Sequence, residues 1–272
     1  MRVWIFMKKL SVISRYLQSY LEQRPLFLSL IRAKEAEFFS RFMPFAHPVL
    51  DVGCGDGFFA SVLFGQTKKS HGRRIDVGLD VPDSRLSQAS SMNIYTSLLS
   101  YDGHVMPFAS RRFGTVISNC VLEHIPNIEE VVSEVYRVLK PGGTFVVSVM
   151  AHPWEEHLAG SLILGNSYKR WMRKKQVHFN LYTHKKWSEL FVNAGFTLEQ
   201  QIGYLNPAAC RVIDIAHYLS IPSLLSYVLW KKWVIWPKFA HVYPISYLSH
   251  IIVSDVPVDE SGALFYVLRK PR

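Results

Sequence analysis

The apolar positions of the chain form two kinds of pattern. Short apolar runs bounded by glycine, proline or polar residues are typical of buried parallel strands. Between these runs, apolar residues recur at intervals of three and four, as they do from Ile128 to Leu139, and this spacing predicts amphipathic helices. Strands that alternate with helices predict an α/β fold with a doubly wound parallel sheet. The predicted strands are residues 48–52, 74–80, 94–99, 113–119, 144–150, 196–204 and 262–269.

Capping residues predict where several helices begin. Asn127 stands before a helical stripe with Glu130 three residues later, the spacing of a capping box, and Thr183 stands before another helix. By contrast, residues 151–182 are basic, aromatic and without helical spacing, so we expect an irregular segment there. The predicted helical regions are 10–43, 57–64, 81–90, 128–139, 183–195 and an apolar insertion at 205–260.

The length of the chain sets the expected domain organisation. One α/β domain with additions accounts for 272 residues. We therefore expect an N-terminal helical lid at 1–45 and a single domain at 46–272. Within that domain, 151–182 is expected to form a lid segment, and 205–260 is expected to form the apolar helical insertion.

Charge is unevenly distributed along the chain. The formal net charge is +10, yet residues 46–150 carry −1, while 1–45 carry +5 and the two later segments, 151–204 and 205–272, carry +3 each. All seven tryptophans also lie outside 46–150. An approximately neutral centre is thus flanked by basic, aromatic segments. The three cysteines are widely separated and form no disulfide or metal-binding pattern, which favours a reducing, cytoplasmic compartment and predicts no metal site.

One aromatic segment indicates contact with a membrane. The first residues lack the continuous apolar region of a signal peptide, and Asp214, His217 and Pro222 interrupt the apolar stretch 212–230, so neither a signal peptide nor a spanning helix is expected. From 230 to 238, tryptophan and lysine alternate with apolar residues, a pattern typical of a membrane interface. The alternatives are peripheral contact at the inner membrane face through 205–260 and a helical cap with buried tryptophans.

A glycine-rich loop follows the first predicted strand. Its spacing is G-x-G-x-G, and Phe58 stands where a dinucleotide-binding fingerprint has its third glycine. No Gly-Lys-Ser/Thr follows, so the loop is not a phosphate-binding P-loop. The carboxylate of Asp51, just before the loop, would repel a phosphate and attract an ammonium group. The candidate binding residues here are Asp51, Gly53, Cys54, Gly55 and Gly57.

Acidic residues also follow the next two predicted strands. Asp80 ends the second strand, where a carboxylate accepts hydrogen bonds from ribose hydroxyls. Asp102, with Gly103, follows the third strand, where a carboxylate can accept from the amino group of adenine. An ammonium, a ribose and an adenine without phosphate together describe S-adenosylmethionine. The alternative for each residue alone is helix capping or turn formation.

Several motifs together resemble one enzyme family. They are Val49 to Gly57 (VLDVGCGDG), Asp102 to Phe108 (DGHVMPF), Val121 to Pro126 (VLEHIP) and Arg137 to Gly143 (RVLKPGG). They resemble the class I S-adenosylmethionine-dependent methyltransferases, most of all the small-molecule branch with the ubiquinone and menaquinone methyltransferases. The resemblance implies a Rossmann-like seven-stranded sheet in the order 3-2-1-4-5-7-6 with the last strand antiparallel. It also implies that Asn119 lines the floor of the cofactor pocket.

Two histidines are candidate general bases for the methyl acceptor. His124 follows the fourth predicted strand and His152 follows the fifth, so both lie at the carboxyl edge of the sheet, where an acceptor enters. The alternatives are a scaffold role for His124 and a solvated loop for His152.

The acceptor itself is constrained by missing motifs. Asn119 is not followed by the Pro-Pro of amino-methylating DNA enzymes, and the chain has no Pro-Cys nucleophile motif. We expect a small or lipid-linked acceptor and regard nucleic acid as disfavoured. Two alternatives stay open: an RNA or protein methyltransferase that uses the basic run of 169–186, and a catalytically idle S-adenosylmethionine-binding module. The sequence does not indicate the oligomeric state.

Overall fold

The computed structural model describes residues 2–65, 75–82 and 84–272, with side chains from Phe6 onward. Its described residues form one seven-stranded sheet in the order β3-β2-β1-β4-β5-β7-β6, in which β7 is antiparallel to both of its neighbours. The predicted fold class and strand order are therefore confirmed. The strands are β1 Val49–Val52, β2 Ile75–Asp80, β3 Tyr95–Ser100, β4 Phe113–Asn119, β5 Leu139–Met150, β6 Thr197–Tyr204 and β7 Ala263–Arg269. Residue 74 of the second predicted strand and residue 83 of the helix after it lie outside the described residues.

Helices cover both faces of the sheet. They are α1 Arg2–Leu21, α2 Leu26–Ser40, α3 Phe58–Gly65, α4 Leu86–Ser91, α5 Ile128–Val138, α6 Pro153–His157, α7 Ala159–Lys175, α8 His184–Asn193, α9 Pro207–Leu219, α10 Ile221–Trp230 and α11 Ile245–Ile252. Short 3-10 helices span Leu122–His124 and Pro237–Val242.

The helical region expected at 10–43 consists of two helices, because Pro25 has an extended ψ of 153° and separates α1 from α2. One prediction about a helical segment was wrong. The segment 151–182, expected to be irregular, contains α6 and α7. Its helical spacing is obscured in the sequence by Gly165, which has non-helical angles (φ 58°, ψ −138°) and kinks α7.

The capping predictions had opposite outcomes. Thr183 caps α8 as expected, because its side chain accepts a hydrogen bond from the backbone N–H of Lys186. Asn127 precedes α5 but makes no side-chain capping hydrogen bond with the described residues, so the predicted capping box is wrong. Its expected partner, Glu130, instead forms a 2.8 Å hydrogen bond with Nδ1 of His104.

The N-terminal helices belong to the core. Phe38 and Phe39 of α2 are fully buried and pack against Phe265 of β7, with ring centroids 5.0 and 5.3 Å apart. On the opposite face, Trp187 and Phe191 of α8 are equally buried. The sheet is thus covered on both sides, as expected for parallel strands.

The apolar insertion leaves the sheet and returns to it at one point. Tyr204, at the end of β6, is paired in register with Ala263, the first residue of β7. Between them, α9 packs against α2. In the described structure Ser226 alone of α10 is buried, so this apolar helix lies on the surface.

Candidate functional site

Two cavities lie at the carboxyl ends of the central strands. The first, here the loop cavity, has a volume of about 350 Å³, and the second, the edge cavity, has about 380 Å³. Gly53 lines both, so the cavities adjoin at the glycine-rich loop. The predicted binding residues in the loop cavity are Asp51, Gly53, Cys54, Gly55 and Asn119, and those in the edge cavity are Gly53, Asp80, Asp102 and Gly103.

The glycine-rich loop needs glycine at two positions for different reasons. Gly53 has φ +75°, and a Cβ atom there would overlap the side chain of Val121. Gly55 has φ +57°, but a Cβ atom there would meet nothing within 4 Å. The loop is therefore closed against the protein at Gly53 and open at Gly55, which leaves backbone accessible to a ligand. Gly57 lines neither described cavity and instead packs against Ala89 of α4.

Asp51 is a buried carboxyl group on the wall of the loop cavity. Its Oδ2 accepts a 2.6 Å hydrogen bond from the hydroxyl of Tyr95. Burial raises the pKa of Asp51 to about 7, and the nearby Asp80 adds to this effect, while the Tyr95 hydrogen bond opposes it. A cation placed beside Asp51 would favour the ionised form.

The two carboxylates of the edge cavity are held by backbone N–H groups. Asp80 accepts hydrogen bonds from Gly55 at 2.6 Å and from Val81 at 2.8 Å, and burial raises its pKa against their opposing effect. Oδ1 of Asp102 accepts from His104 and Val105, and these hydrogen bonds lower the pKa of Asp102. Both side chains are thus oriented before any ligand binds.

Asn119 is fixed in the loop cavity by the neighbouring strand. Its Oδ1 accepts a 2.6 Å hydrogen bond from the hydroxyl of Ser148 on β5. The next residue, Cys120, has φ 49° and donates its thiol to Oε1 of Glu35 at 3.0 Å. This turn therefore joins the end of β4 to helix α2.

Sequence reasoning missed the three arginines of the loop cavity, which are Arg24, Arg32 and Arg85. Arg24 and Arg32, contributed by the N-terminal segment, line the cavity together with Trp233 of the insertion. Arg32 donates to Glu35 at 2.7 Å, and Arg24 donates to Asp56 at 2.7 Å. The spacing of Arg32 and Glu35 is that of a helical ion pair. It could have drawn attention to Arg32, but it does not indicate a cavity.

The two candidate bases occupy different places. His124 lines the edge cavity, where its Nδ1 forms a 3.1 Å hydrogen bond with the carbonyl of Val177. His152 lines neither of these cavities as described, and its Nε2 lies 3.8 Å from a carboxylate oxygen of Glu155. Only His124 is therefore brought to the predicted binding residues.

A third cavity continues from the loop cavity into the insertion. This apolar groove, of about 200 Å³, shares Arg24, Pro25 and Trp233 with the loop cavity. Its other walls come from residues of α10 and the segment after it, which include Pro222, Trp236, Phe239 and Tyr243. Trp236 is 66% exposed and Phe239 is 63% exposed, so the groove opens on the molecular surface.

Comparison with known protein families matches residues 13–201 to the family described as a methyltransferase domain. The chain belongs to this methyltransferase family. The match begins inside α1 and ends inside β6, so it covers strands β1 to β5 whole, together with the glycine-rich loop and all the residues of the edge cavity.

Relatives within the methyltransferase family agree with this assignment. A probable S-adenosylmethionine-dependent methyltransferase of Mycolicibacterium smegmatis is 25% identical over 173 residues, which are 64% of this chain and 61% of that protein. A ubiquinone biosynthesis O-methyltransferase of Psychrobacter arcticus is 27% identical over 184 residues, which are 64% of this chain and 70% of that protein. The chain thus spans about three fifths of the first of these relatives.

Solved structures show the same fold. An S-adenosylmethionine-dependent methyltransferase of Thermotoga maritima superposes with a TM-score of 0.58 at 16% identity, over 90% of this chain and 92% of that one. The family to which the chain belongs binds S-adenosylmethionine. Its Rossmann-like sheet places the ligand at the carboxyl ends of the strands, where the two cavities lie.

Proposed function

We propose that this chain transfers the methyl group of S-adenosylmethionine to a lipid-like or lipid-linked acceptor at a membrane surface. The observation that carries the proposal is that the loop cavity and the apolar groove share three lining residues, Arg24, Pro25 and Trp233. Methyl transfer from a sulfonium ion is an in-line displacement, which requires alignment of the acceptor and exclusion of water. A groove that leads to the loop cavity can supply both.

The residues of the two cavities fit S-adenosylmethionine. A zwitterionic amino-acid end suits the loop cavity, because Asp51 can accept from the ammonium group and Arg32 can donate to the carboxylate. The open backbone at Gly55 leaves room for this end of the ligand. When bound, the cofactor supplies an electrophilic methyl group.

The nucleoside end fits the edge cavity. In our proposal Asp80 accepts from the ribose hydroxyls, and Asp102 with Gly103 faces the adenine edge. Asn119, held by Ser148, forms part of the floor beside Asp51. The sulfonium would then lie near Gly53, which lines both cavities.

The apolar groove suits the hydrocarbon part of an acceptor. Its aromatic walls would exclude water, and its exposed end would admit a chain from the bilayer. The reactive end of the acceptor would pass Trp233 and reach the loop cavity. If the acceptor is a hydroxyl, it needs a general base. His124 is the first candidate because it lies in the edge cavity, and His152 is the second.

The surface around the groove supports contact with a membrane. Lys231, Lys232 and Lys238 lie among the exposed apolar side chains and would attract anionic lipids. None of the described helices is by itself long and apolar enough to cross a membrane, although α9 and α10 together meet the length and composition of a span bent by 45°. We propose that α10 lies in the interface. The exposed side chains include Leu224, Leu225, Val228, Leu229, Trp230, Trp236, Phe239 and Val242.

Transfer of labelled methyl groups tests the proposal. The chain is incubated with S-adenosylmethionine labelled in its methyl group and with detergent-dispersed lipid, RNA, protein and small-molecule fractions of a cell extract. We expect label in the lipid fraction. Phe239→Ala, which removes an apolar wall of the groove and changes no lining residue of the loop or edge cavity, should reduce this labelling about tenfold. Trp230→Ala is the matched control, because Trp230 is exposed on α10 and lines no part of the described groove.

Binding of S-adenosylhomocysteine, measured by calorimetry, separates the two parts of the proposal. We expect both variants to bind it with the affinity of the unchanged chain. Label confined to RNA or protein would contradict the lipid-like acceptor. Intact binding without label in any fraction would indicate a catalytically idle module, and absence of binding would contradict the cofactor assignment.

A further inference from the structure

A further, basic cavity lies next to the edge cavity, since the ring of its residue His178 is 5.0 Å from that of His124. It has a volume of about 540 Å³ and is enclosed by α6, α7 and residues 177–179. As described, it shares no lining residue with the loop cavity, the edge cavity or the apolar groove. Its positive side chains, all on α7, are Lys169, Arg170, Arg173 and Lys174, and we call this cavity the basic cleft.

Ion pairs neutralise only part of the charge in the basic cleft. Glu155 pairs with Arg173, whose Nε donates at 3.0 Å, and Glu156 pairs with Lys169. Arg170 and Lys174 form no ion pair with a carboxylate of the described residues. They are four positions apart on one helix, so both face the cleft from the same side with a net excess of two positive charges.

A buried histidine in the basic cleft also lacks a partner. His178 is 8% exposed, lines the cleft, and has no hydrogen-bond partner for Nδ1 among the described residues. Burial, His124 and Arg173 lower the pKa of His178 to about 3, so its ring is neutral. Nδ1 itself has almost no accessible surface, so His178 contributes an uncharged wall to the cleft and adds nothing to the charge of the neighbouring cations.

We propose that the basic cleft binds a phosphate-type oxyanion. Arg170 can donate two parallel hydrogen bonds to such a group, and Lys174 adds a positive charge. Glu155 and Glu156 do not oppose the anion, because Arg173 and Lys169 neutralise them. The inference is independent of the methyl acceptor proposed above.

The ligand could be a phospholipid headgroup or a free phosphate ester. Leu162, Ile163 and Leu164, which precede the basic residues on α7, are 62–82% exposed. Apolar side chains that enter a bilayer beside cations that meet its headgroups are typical of interfacial helices. This arrangement favours the headgroup, and the two sources are separated by experiment.

Titration of the full chain with inorganic phosphate at constant ionic strength tests the cleft. We expect heat of binding in calorimetry, with chloride as the reference anion. Arg170→Gln combined with Lys174→Gln should weaken binding at least about tenfold, since it removes two charge-assisted interactions. Lys140→Gln combined with Lys185→Gln is the matched control, because it removes the same charge at exposed positions elsewhere. This control should change the affinity less than about twofold.

Arg170→Lys distinguishes a built site from charge attraction, because lysine cannot donate two parallel hydrogen bonds to one oxyanion. It leaves the net charge unchanged at neutral pH, and we expect it to weaken phosphate binding severalfold while S-adenosylhomocysteine binding persists. Equal losses in both double variants, or no binding of phosphate beyond that of chloride, would overturn the proposal. Binding of RNA without binding of phosphate would also overturn it.

Vesicles identify the source of the oxyanion. The chain is sedimented with phosphatidylcholine vesicles that contain or lack phosphatidic acid. If the ligand is a headgroup, phosphatidic acid increases retention, and the Arg170→Gln/Lys174→Gln variant loses that increase. If phosphate binds but this variant is retained on the vesicles like the unchanged chain, the ligand is a free phosphate ester. Either result supports the oxyanion site.

Discussion

Strand β5 and helix α10 are both strongly apolar, yet they occupy opposite environments. Val147 and Val149 of β5 are fully buried between two layers of helices. On α10, Leu229 is 67% exposed, and Ser226 is the residue that the described structure buries. Apolar composition therefore has different causes in the two regions. In the sheet it provides the core, and in the insertion it forms an exposed apolar surface, which we propose meets a membrane.

The tryptophans show the same division within the flanking segments. Trp154 and Trp187 are buried, whereas Trp230 and Trp236 are exposed. The sequence placed all of them in one class because they lie outside 46–150. Their burial separates those that stabilise the fold from those available to a partner, and the side chain of Trp4 lies outside the described residues.

The largest expected effect compares one tryptophan from each class. Trp187→Ala should lower the free energy of unfolding by about 3–5 kcal/mol, because it leaves a cavity in the core and removes the 3.1 Å hydrogen bond to the carbonyl of Met150. Trp236→Ala should change it by less than about 0.5 kcal/mol, since Trp236 is exposed. Denaturant-induced unfolding measures both, and similar losses in the two variants would break the comparison.

The second effect concerns the cofactor side. Asp51→Asn should weaken binding of S-adenosylhomocysteine by about 1.5–3 kcal/mol, the range for a hydrogen bond to a charged group. Calorimetric titration measures this loss. Leu225→Ser with Leu229→Ser, on the exposed face of α10, is the matched test of the other region and should leave the affinity unchanged. If the Asp51 variant and the α10 variant lost affinity for S-adenosylhomocysteine equally, the cofactor site and the surface of α10 would not act separately.

The third effect concerns the membrane side. Trp236→Ser with Val242→Ser should reduce retention on anionic vesicles about tenfold, because two exposed apolar side chains no longer enter the interface. Val105→Ser with Val192→Ser removes exposed apolar side chains elsewhere and serves as the control. Retention that falls equally in both variants, or in neither, would argue against a membrane-facing insertion.

The smallest effect is a pH dependence confined to the cofactor side. The pKa of Asp51 is about 7, and only its ionised form attracts an ammonium group. The affinity for S-adenosylhomocysteine should therefore rise with pH through this range and fall about threefold from about pH 7.5 to about pH 6.5. Asp51→Asn should remove the dependence, and a persistent slope in that variant would assign it to another group.

Most residues of the candidate cofactor site could be predicted from the sequence, because they lie in short motifs directly after predicted strands. In a parallel sheet, the carboxyl ends of the strands meet at one edge, so a carboxylate or a glycine at a strand end must lie at that edge. Accordingly, eight of the nine predicted binding residues line the two cavities. The exception, Gly57, packs against α4 instead. Arg24 and Arg32 were missed because their approach to the loop cavity depends on how α1 and α2 pack, which no local pattern records.

The errors in the fold have the same origin. Asn127 and Glu130 have the spacing of a capping box, but His104 from a distant loop takes the carboxylate. Gly165 hides the helical spacing of α7, because its backbone angles are not helical. In each case a tertiary contact or a single backbone angle outweighs the local pattern.

The pairing of Tyr204 with Ala263 means that residues 205–262 begin and end side by side. This long segment connects β6 to β7 as a hairpin turn would. Its length adds little to the entropic cost of bringing the two strands together, because that cost rises only slowly with loop length. The cost of exchanging it would fall on the helices that α9 and α11 cover, which are α1, α2, α6 and α7. Such a segment can be replaced during evolution or by design while the strand register persists. The substrate range of this scaffold can therefore diversify faster than its use of the cofactor.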